Sequence, residues 1–111
     1  RYFNIQTQLS VAISAQTPHR LIREIPAIIM EAMSNILRHS GAKLAEVDIS
    51  NQGQTLKILV SYDEHPSLNE LSEQPKFNPQ SIRQRVEDLG GILSIYYNKK
   101  IYTTLDCHLP Y

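Results

Sequence analysis

The chain has 111 residues, enough for one domain (1–111) with a single hydrophobic core. Lys and Arg number 11 and Asp and Glu also number 11, so no net charge would attract nucleic acid or an anionic membrane surface. Hydrophobic residues make up 41% of the chain, and no apolar run approaches the roughly 20 residues of a membrane span. We therefore expect a soluble domain. The start at Arg1, without a signal peptide, predicts a piece of a longer protein, and the lone Cys107 fits a reducing compartment.

The first third of the chain predicts one strand followed by a long helix. Residues 3–13 combine alternation with β-branched residues, which favours a strand. Thr17 can cap a helix whose first residue is a proline, and apolar residues then recur at helical spacing to about His39, before Gly41. Pro26 interrupts this pattern because it lacks a backbone donor. We expect either a kinked helix or a turn followed by a new helix near Pro26.

The end of this helix carries a polar stripe. Glu31, Asn35 and His39 are spaced four residues apart, so they share one helix face, with Arg38 beside them. The remaining surface is mostly apolar and can pack against a sheet. The pattern predicts a polar site at the edge of a core.

The middle of the chain predicts a hairpin and then a long loop. Residues 44–50 and 55–62 each alternate, and the linker 51–54 contains a glycine for the turn. Residues 63–77 are polar, contain prolines and follow neither period. Loops of this length in compact domains are usually functional or mobile.

The last third predicts a short amphipathic helix and a second hairpin. Asn78 can cap the helix, which the glycines at 90–91 would end, and residues 92–97 and 101–109 form the hairpin strands. Hairpins with helices between them predict an α+β fold. We expect a two-layer sandwich in which two main helices cover a mostly antiparallel sheet of about five strands.

Three segments resemble the ATP-binding catalytic domain of sensor histidine kinases, a fold shared with gyrase B and MutL and called the GHKL or Bergerat fold. EAMSNILRHSGA resembles the asparagine box of the nitrate-sensor and thermosensor subgroup. SIRQRVEDLGGILSI resembles its helix after the nucleotide lid, and LDCHLP its terminal strand. The order and spacing of elements agree over nearly the whole chain.

The resemblance implies roles for the polar stripe. Glu31 takes the position of the carboxylate that activates the phosphoryl acceptor. Asn35 takes the position of the amide that ligates magnesium, a cation that prefers oxygen ligands and keeps several waters. Arg38 and His39 occupy positions that approach the phosphates. The implied cofactors are thus ATP and Mg²⁺.

The resemblance also implies an adenine-binding end and a lid. Asp63 matches the aspartate that accepts a hydrogen bond from the adenine amino group. Thr103 or Thr104 matches the threonine that supports this aspartate. Residues 63–77 correspond to the ATP lid. The implied partners are upstream dimerisation and phosphoacceptor helices of the same protein and a response regulator, and the implied location is cytoplasmic.

The glycine motifs of the family are missing. The pattern D-x-G-x-G is replaced by Asp63-Glu-His-Pro66 and the lid glycines by residues 78–81, while the four glycines present are assigned to turns and helix ends. Glycine lets backbone N–H groups approach phosphate oxygens, whereas proline has no N–H to donate. A glutamate near phosphates repels them. These losses predict weak or absent nucleotide binding.

Three functions are compatible with the sequence. The first is a degenerate kinase domain, a pseudokinase, that serves as a regulatory module. The second is an active Mg-ATP-binding domain that phosphorylates a histidine upstream of residue 1. The third is a serine kinase or anti-sigma factor of the same fold, which would act on a partner protein.

Overall fold

A computed structural model describes residues 5–39, 41–63, 80–97 and 102–111, without the side chains of Arg38, His39 and Tyr102. The described elements, in chain order, are β1 (Gln6–Ala12), α1 (His19–Ile22), α2 (Ile25–His39), β2 (Leu44–Gln52), β3 (Thr55–Asp63), α3 (Gln80–Asp88), β4 (Ile92–Tyr97) and β5 (Tyr102–Pro110). None of the described helices has the length and apolarity that a membrane crossing requires.

The five strands form one sheet in the order β1-β2-β3-β5-β4. β1 pairs with β2 in parallel, since α1 and α2 connect them, and the other three pairs are antiparallel. This confirms the predicted α+β fold with a mostly antiparallel five-stranded sheet. The edge strand β1 is exposed along its whole length.

A turn at residues 23–24, just before Pro26, separates two helices, as one of the two alternatives predicted. α1 ends at Ile22, and Pro26 lies in the first turn of α2, where a missing N–H costs no helical hydrogen bond. The predicted cap at Thr17 is wrong. The N-cap is Pro18, without a side-chain hydrogen bond. The Thr17 hydroxyl instead accepts a hydrogen bond of 2.9 Å from Asn51 Nδ2.

The first hairpin turns more tightly than predicted. β2 continues through Asn51 to Gln52, so only Gly53 and Gln54 form the turn. Gly53 has φ +61°, while Gln54 is not among the residues with positive φ, which fits a type II′ turn. Asn51 is therefore a strand residue rather than part of the linker.

The short helix α3 packs as its apolar spacing predicts. Ile82 and Val86 are buried, and the Gly90 and Gly91 N–H groups donate to the Glu87 and Val86 carbonyls in a Schellman motif. A Cβ on Gly91 would collide with the His108 carbonyl and would lie 2.5 Å from Leu109 Cδ2. Glycine at this position therefore lets α3 and β5 approach closely. The predicted cap Asn78 lies outside the described residues.

The core lies between the helices and one face of the sheet. Alternate residues of β3 and β5 face the helices and are buried, as are the residues of α2 that recur every three or four positions. The central members of this core are Ile28, Ala32, Ile36, Ile58, Val60, Leu105 and Cys107. The same periodicities place the polar groups described next.

Candidate functional site

The polar stripe of α2 divides into a buried and a partly exposed position. Asn35 continues the buried row through Ile28 and Ala32 and is only 9% exposed, whereas Glu31 is intermediate. α2 thus directs one amide toward the sheet, with a carboxylate one turn before it.

α2 leads to one particular end of the sheet. Residues 40–43 connect it to the start of β2, which pairs with the end of β3, and the end of β3 pairs with the start of β5. The C-terminal half of α2 and these strand ends therefore lie at the same end of the domain. The predicted site residues Asn35, Asp63 and Thr103 belong to these segments.

Tyr62 and Thr103 form one rung of the sheet at this end. They are direct partners in the antiparallel pair of β3 and β5, and both face the helix layer. Tyr62 is 1% exposed and is the largest of the fully buried side chains described. Thr103 is equally buried. The inward-facing residue next to the predicted threonine is thus a tyrosine.

Asp63 is directed elsewhere. It follows Tyr62 in the strand, so alternation places its side chain off the helix-facing row. Its Oδ1 accepts hydrogen bonds from the Lys43 N–H at 3.0 Å and the Leu44 N–H at 2.9 Å, at the start of β2. Asp63 is opposite Tyr102 rather than opposite a threonine. Its Oδ1 therefore helps to hold β2 to β3, and its role toward an adenine amino group stays a prediction.

The alternative threonine, Thr104, lies on the other face of the sheet. It is opposite Ser61, and the two hydroxyl oxygens are 3.0 Å apart. Of the remaining predicted site residues, Arg38 and His39 lie in the last turn of α2, and their side chains are outside the description. The predicted lid, apart from Asp63, is also outside it.

Comparison with known proteins identifies the fold. No family model matches the chain, and no curated protein matches it. Among solved structures, the blue-light activated histidine kinase of Erythrobacter litoralis aligns with 98% of the chain at 17% identity and a TM-score of 0.71. The fold is that of a histidine kinase catalytic domain.

Two further structures share this histidine kinase fold. AdeS of Acinetobacter baumannii aligns with 96% of the chain at 11% identity and a TM-score of 0.69. The ATP binding domain of PrrB from Mycobacterium tuberculosis aligns with 93% at 17% identity and a TM-score of 0.62. The chain spans 36% of the Erythrobacter protein, 54% of the AdeS chain and 80% of the PrrB chain.

The two ends of the implied Mg-ATP site differ in what the described residues offer. A buried amide oxygen on α2 suits magnesium, which needs only one or two protein ligands. At the end where the resemblance implies adenine, the inward-facing position of β3 holds the buried phenol of Tyr62, and the Asp63 Oδ1 accepts two backbone hydrogen bonds. The helix-facing row described for β3 therefore presents no carboxylate to a base.

Sequence reasoning missed Tyr62, although the signal was present. Ile58, Val60 and Tyr62 alternate in one phase, so the residue that faces the core at the end of β3 is Tyr62. The resemblance directed attention to the acidic residue one position later. Strand phase identifies the inward-facing residue without reference to any family.

Proposed function

We propose that this chain is the catalytic-domain segment of a sensor histidine kinase that has lost most of its nucleotide binding and acts as a regulatory module. Its partners would be the dimerisation and phosphoacceptor helices of the same protein, and a response regulator. The shared fold supports the first part of the proposal. The second part depends on the composition of the adenine end.

One observation carries the proposal. Tyr62, fully buried beside Thr103, fills the inward-facing position at the end of β3, next to the aspartate to which the resemblance assigns the adenine amino group. Because this position is a tyrosine, the helix-facing row of β3, from Leu56 to Tyr62, contains no carboxylate. Asp63, at the neighbouring position, lies off that row, and its Oδ1 accepts hydrogen bonds from the Lys43 and Leu44 N–H groups. A rotation of the carboxylate that broke these two bonds would cost about 1.5–3 kcal/mol for each of them.

The retained α2 residues favour the active alternative. Asn35 is 9% exposed and lies one turn after Glu31, so an amide and a carboxylate share one face of α2. In this alternative, Asn35 would bind magnesium, Glu31 would act as the base, and Arg38 and His39 would approach the phosphates. The phosphoryl acceptor would be a histidine upstream of residue 1.

Calorimetric titration with Mg-ADP and Mg-ATP separates the two functions. We expect no binding heat from the wild-type chain at millimolar nucleotide. The variants are Asn35→Ala and, as a matched control on an exposed position of the same helix, Met30→Ala. Tight, magnesium-dependent binding that is lost in Asn35→Ala and kept in Met30→Ala would contradict the proposal and establish the active alternative.

A further inference from the structure

We infer that the edge strand β1 is a site of self-association, at which a second copy of this chain pairs its own β1 in antiparallel orientation and continues the sheet. This interaction surface does not depend on the proposed function, because it involves the free edge of β1 and none of the residues assigned to a nucleotide. The partner is identified by the chemistry of the strand Gln6–Ala12 itself.

The backbone of β1 presents unpaired groups on its outer side. β1 is at the end of the strand order, and within the described residues only β2 pairs with it. The Gln6 N–H donates to the Lys43 carbonyl, so the backbone groups of Gln6 and of every second residue after it point toward β2. The N–H and C=O groups of Thr7, Leu9 and Val11 therefore point to the free edge.

The β1 sequence contains none of the usual protection against pairing. Natural edge strands commonly carry a charged residue, a proline or a bulge. The seven residues of β1, QTQLSVA, include neither a charge nor a proline, and their register with β2 is continuous. On β4, the strand at the other end of the sheet, the Arg83 guanidinium donates to the Leu93 carbonyl. No side chain in the described part of the chain bonds to the β1 backbone in this way.

The sequence of β1 is complementary to itself in the reverse direction. Antiparallel pairing centred on Leu9 places the two Leu9 residues opposite each other and Thr7 opposite Val11. On the other face of the sheet, Gln8 is opposite Ser10. Apolar and β-branched residues thus meet on one face and polar residues on the other. Because Thr7, Leu9 and Val11 direct their backbone groups outward, each of their pairs exchanges both N–H···O bonds.

The helix layer leaves space for this second copy. Leu9 and Val11 are the partners of Val47 and Ile49 on β2, so their side chains lie on the helix-facing side. The two β2 residues are buried, whereas Leu9 is 64% exposed and Val11 is 53% exposed. The helices therefore cover β2 and not β1. In the paired form the Leu9 side chains of the two copies contact each other, which removes apolar surface from water.

The charges nearest to this edge do not oppose self-association. Glu46 and Asp48 on β2 are exposed and lie beside β1. Three strand spacings, about 14 Å, would separate these carboxylates from those of the other copy. This distance exceeds the Debye length of about 8 Å at physiological salt. The contact consists mainly of one short strand per copy, so we expect a weak dimer with a Kd on the order of 0.1 mM.

Sedimentation equilibrium at chain concentrations from about 10 μM to about 1 mM tests the association. Leu9→Lys places two like charges directly opposite each other and should raise the Kd at least about tenfold. Met30→Lys adds the same charge at an exposed position of α2 and should leave the Kd unchanged. A wild-type chain that stays monomeric, or a Leu9→Lys dimer as stable as that of the wild type, would overturn the inference.

Disulfide cross-linking tests the register. In Leu9→Cys the two new thiols would meet, since the Cα atoms of such a pair are about 5.5 Å apart, within the range of a disulfide. Val11→Cys is the matched control on the same exposed edge, because its two copies would lie about 13 Å apart along the strand. Both variants keep the buried Cys107. We expect oxidation with copper phenanthroline to cross-link Leu9→Cys and not Val11→Cys, whereas equal or absent cross-linking in the two would contradict pairing centred on Leu9.

Discussion

At the scale of single residues, Asn51 connects three distant parts of the chain. Its Oδ1 accepts a hydrogen bond of 2.7 Å from the Ser14 N–H. Its Nδ2 donates to the Thr17 hydroxyl at 2.9 Å and to the Tyr111 hydroxyl at 2.8 Å. One amide therefore joins the segment after β1, the entry to α1 and the residue that follows β5.

Replacing Asn51 should destabilise the domain strongly. Asn51→Ala removes three hydrogen bonds and leaves a backbone donor and two hydroxyls without their partner, so we expect a loss of about 3 kcal/mol in the free energy of unfolding. Gln52→Ala, on the exposed neighbouring residue of β2, should change it by less than about 0.5 kcal/mol. Urea unfolding measures both. Equal losses in the two variants would show that the network contributes nothing.

The buried thiol of Cys107 should make the domain less stable at alkaline pH. Burial of the thiol, with a smaller contribution from the charge of Asp106, raises its pKa from 9.0 to about 12. The folded-state pKa of the thiol lies above its unfolded value. The contribution of the protonated thiol to the free energy of unfolding is therefore complete below about pH 9 and is lost as the pH rises toward 12.

The measurement is urea unfolding of the wild type and of Cys107→Ala at a series of pH values between about 8 and about 11. Above pH 9 the wild type should lose up to about 1.4 kcal/mol per pH unit more than the variant, because only its unfolded state releases the thiol proton. Other titrating groups are common to both proteins and cancel in the difference. Parallel curves would contradict this assignment.

At the scale of elements, α3 is held to the sheet by close approach and by one arginine. The Arg83 guanidinium donates a hydrogen bond of 3.1 Å to the Leu93 carbonyl of β4. Gly91, just after the helix, lies so close to β5 that a side chain would meet backbone atoms. The position of α3 over the sheet therefore depends on a residue without a Cβ.

A methyl group at Gly91 tests this contact. Gly91→Ala should lower the free energy of unfolding by about 3 kcal/mol, since the β5 backbone has to move. Gly53→Ala is the control: its φ of +61° costs about 1 kcal/mol, but no atom lies within 4 Å of the added carbon. Thermal or urea unfolding compares them. A smaller loss for Gly91→Ala than for Gly53→Ala would contradict the close packing.

At the scale of the whole molecule, periodicity predicted the elements and missed the contacts between them. Hydrophobic spacing predicted α2, α3 and both hairpins, because that signal is local to each segment. The prediction of Thr17 as a helix cap considered only its neighbours in sequence. Its actual partners, Asn51 and Tyr111, lie 34 and 94 positions away. Strand alternation alone identifies Tyr62 as an inward-facing residue. Its position beside Thr103 is known only once β3 and β5 are paired.

The proposed function also needs segments that this chain does not contain. Two of the histidine kinases with the same fold contain further segments, since the chain spans 36% of one and 54% of the other. We propose that such segments supply the dimerisation helices and the phosphoacceptor histidine here. The nitrate-sensor subgroup stays a prediction from the motifs around Asn35.

Nucleotide binding by the folded chain is the most direct test of this account. ¹H–¹⁵N NMR spectra of the wild type are recorded during titration with Mg-ATP, with magnesium triphosphate as the control for nonspecific effects of charge. We predict that millimolar Mg-ATP shifts no amide signal beyond the triphosphate control. Saturable, magnesium-dependent shifts that cluster at Asn35, Tyr62 and Thr103 and disappear in Asn35→Ala would contradict the loss of nucleotide binding.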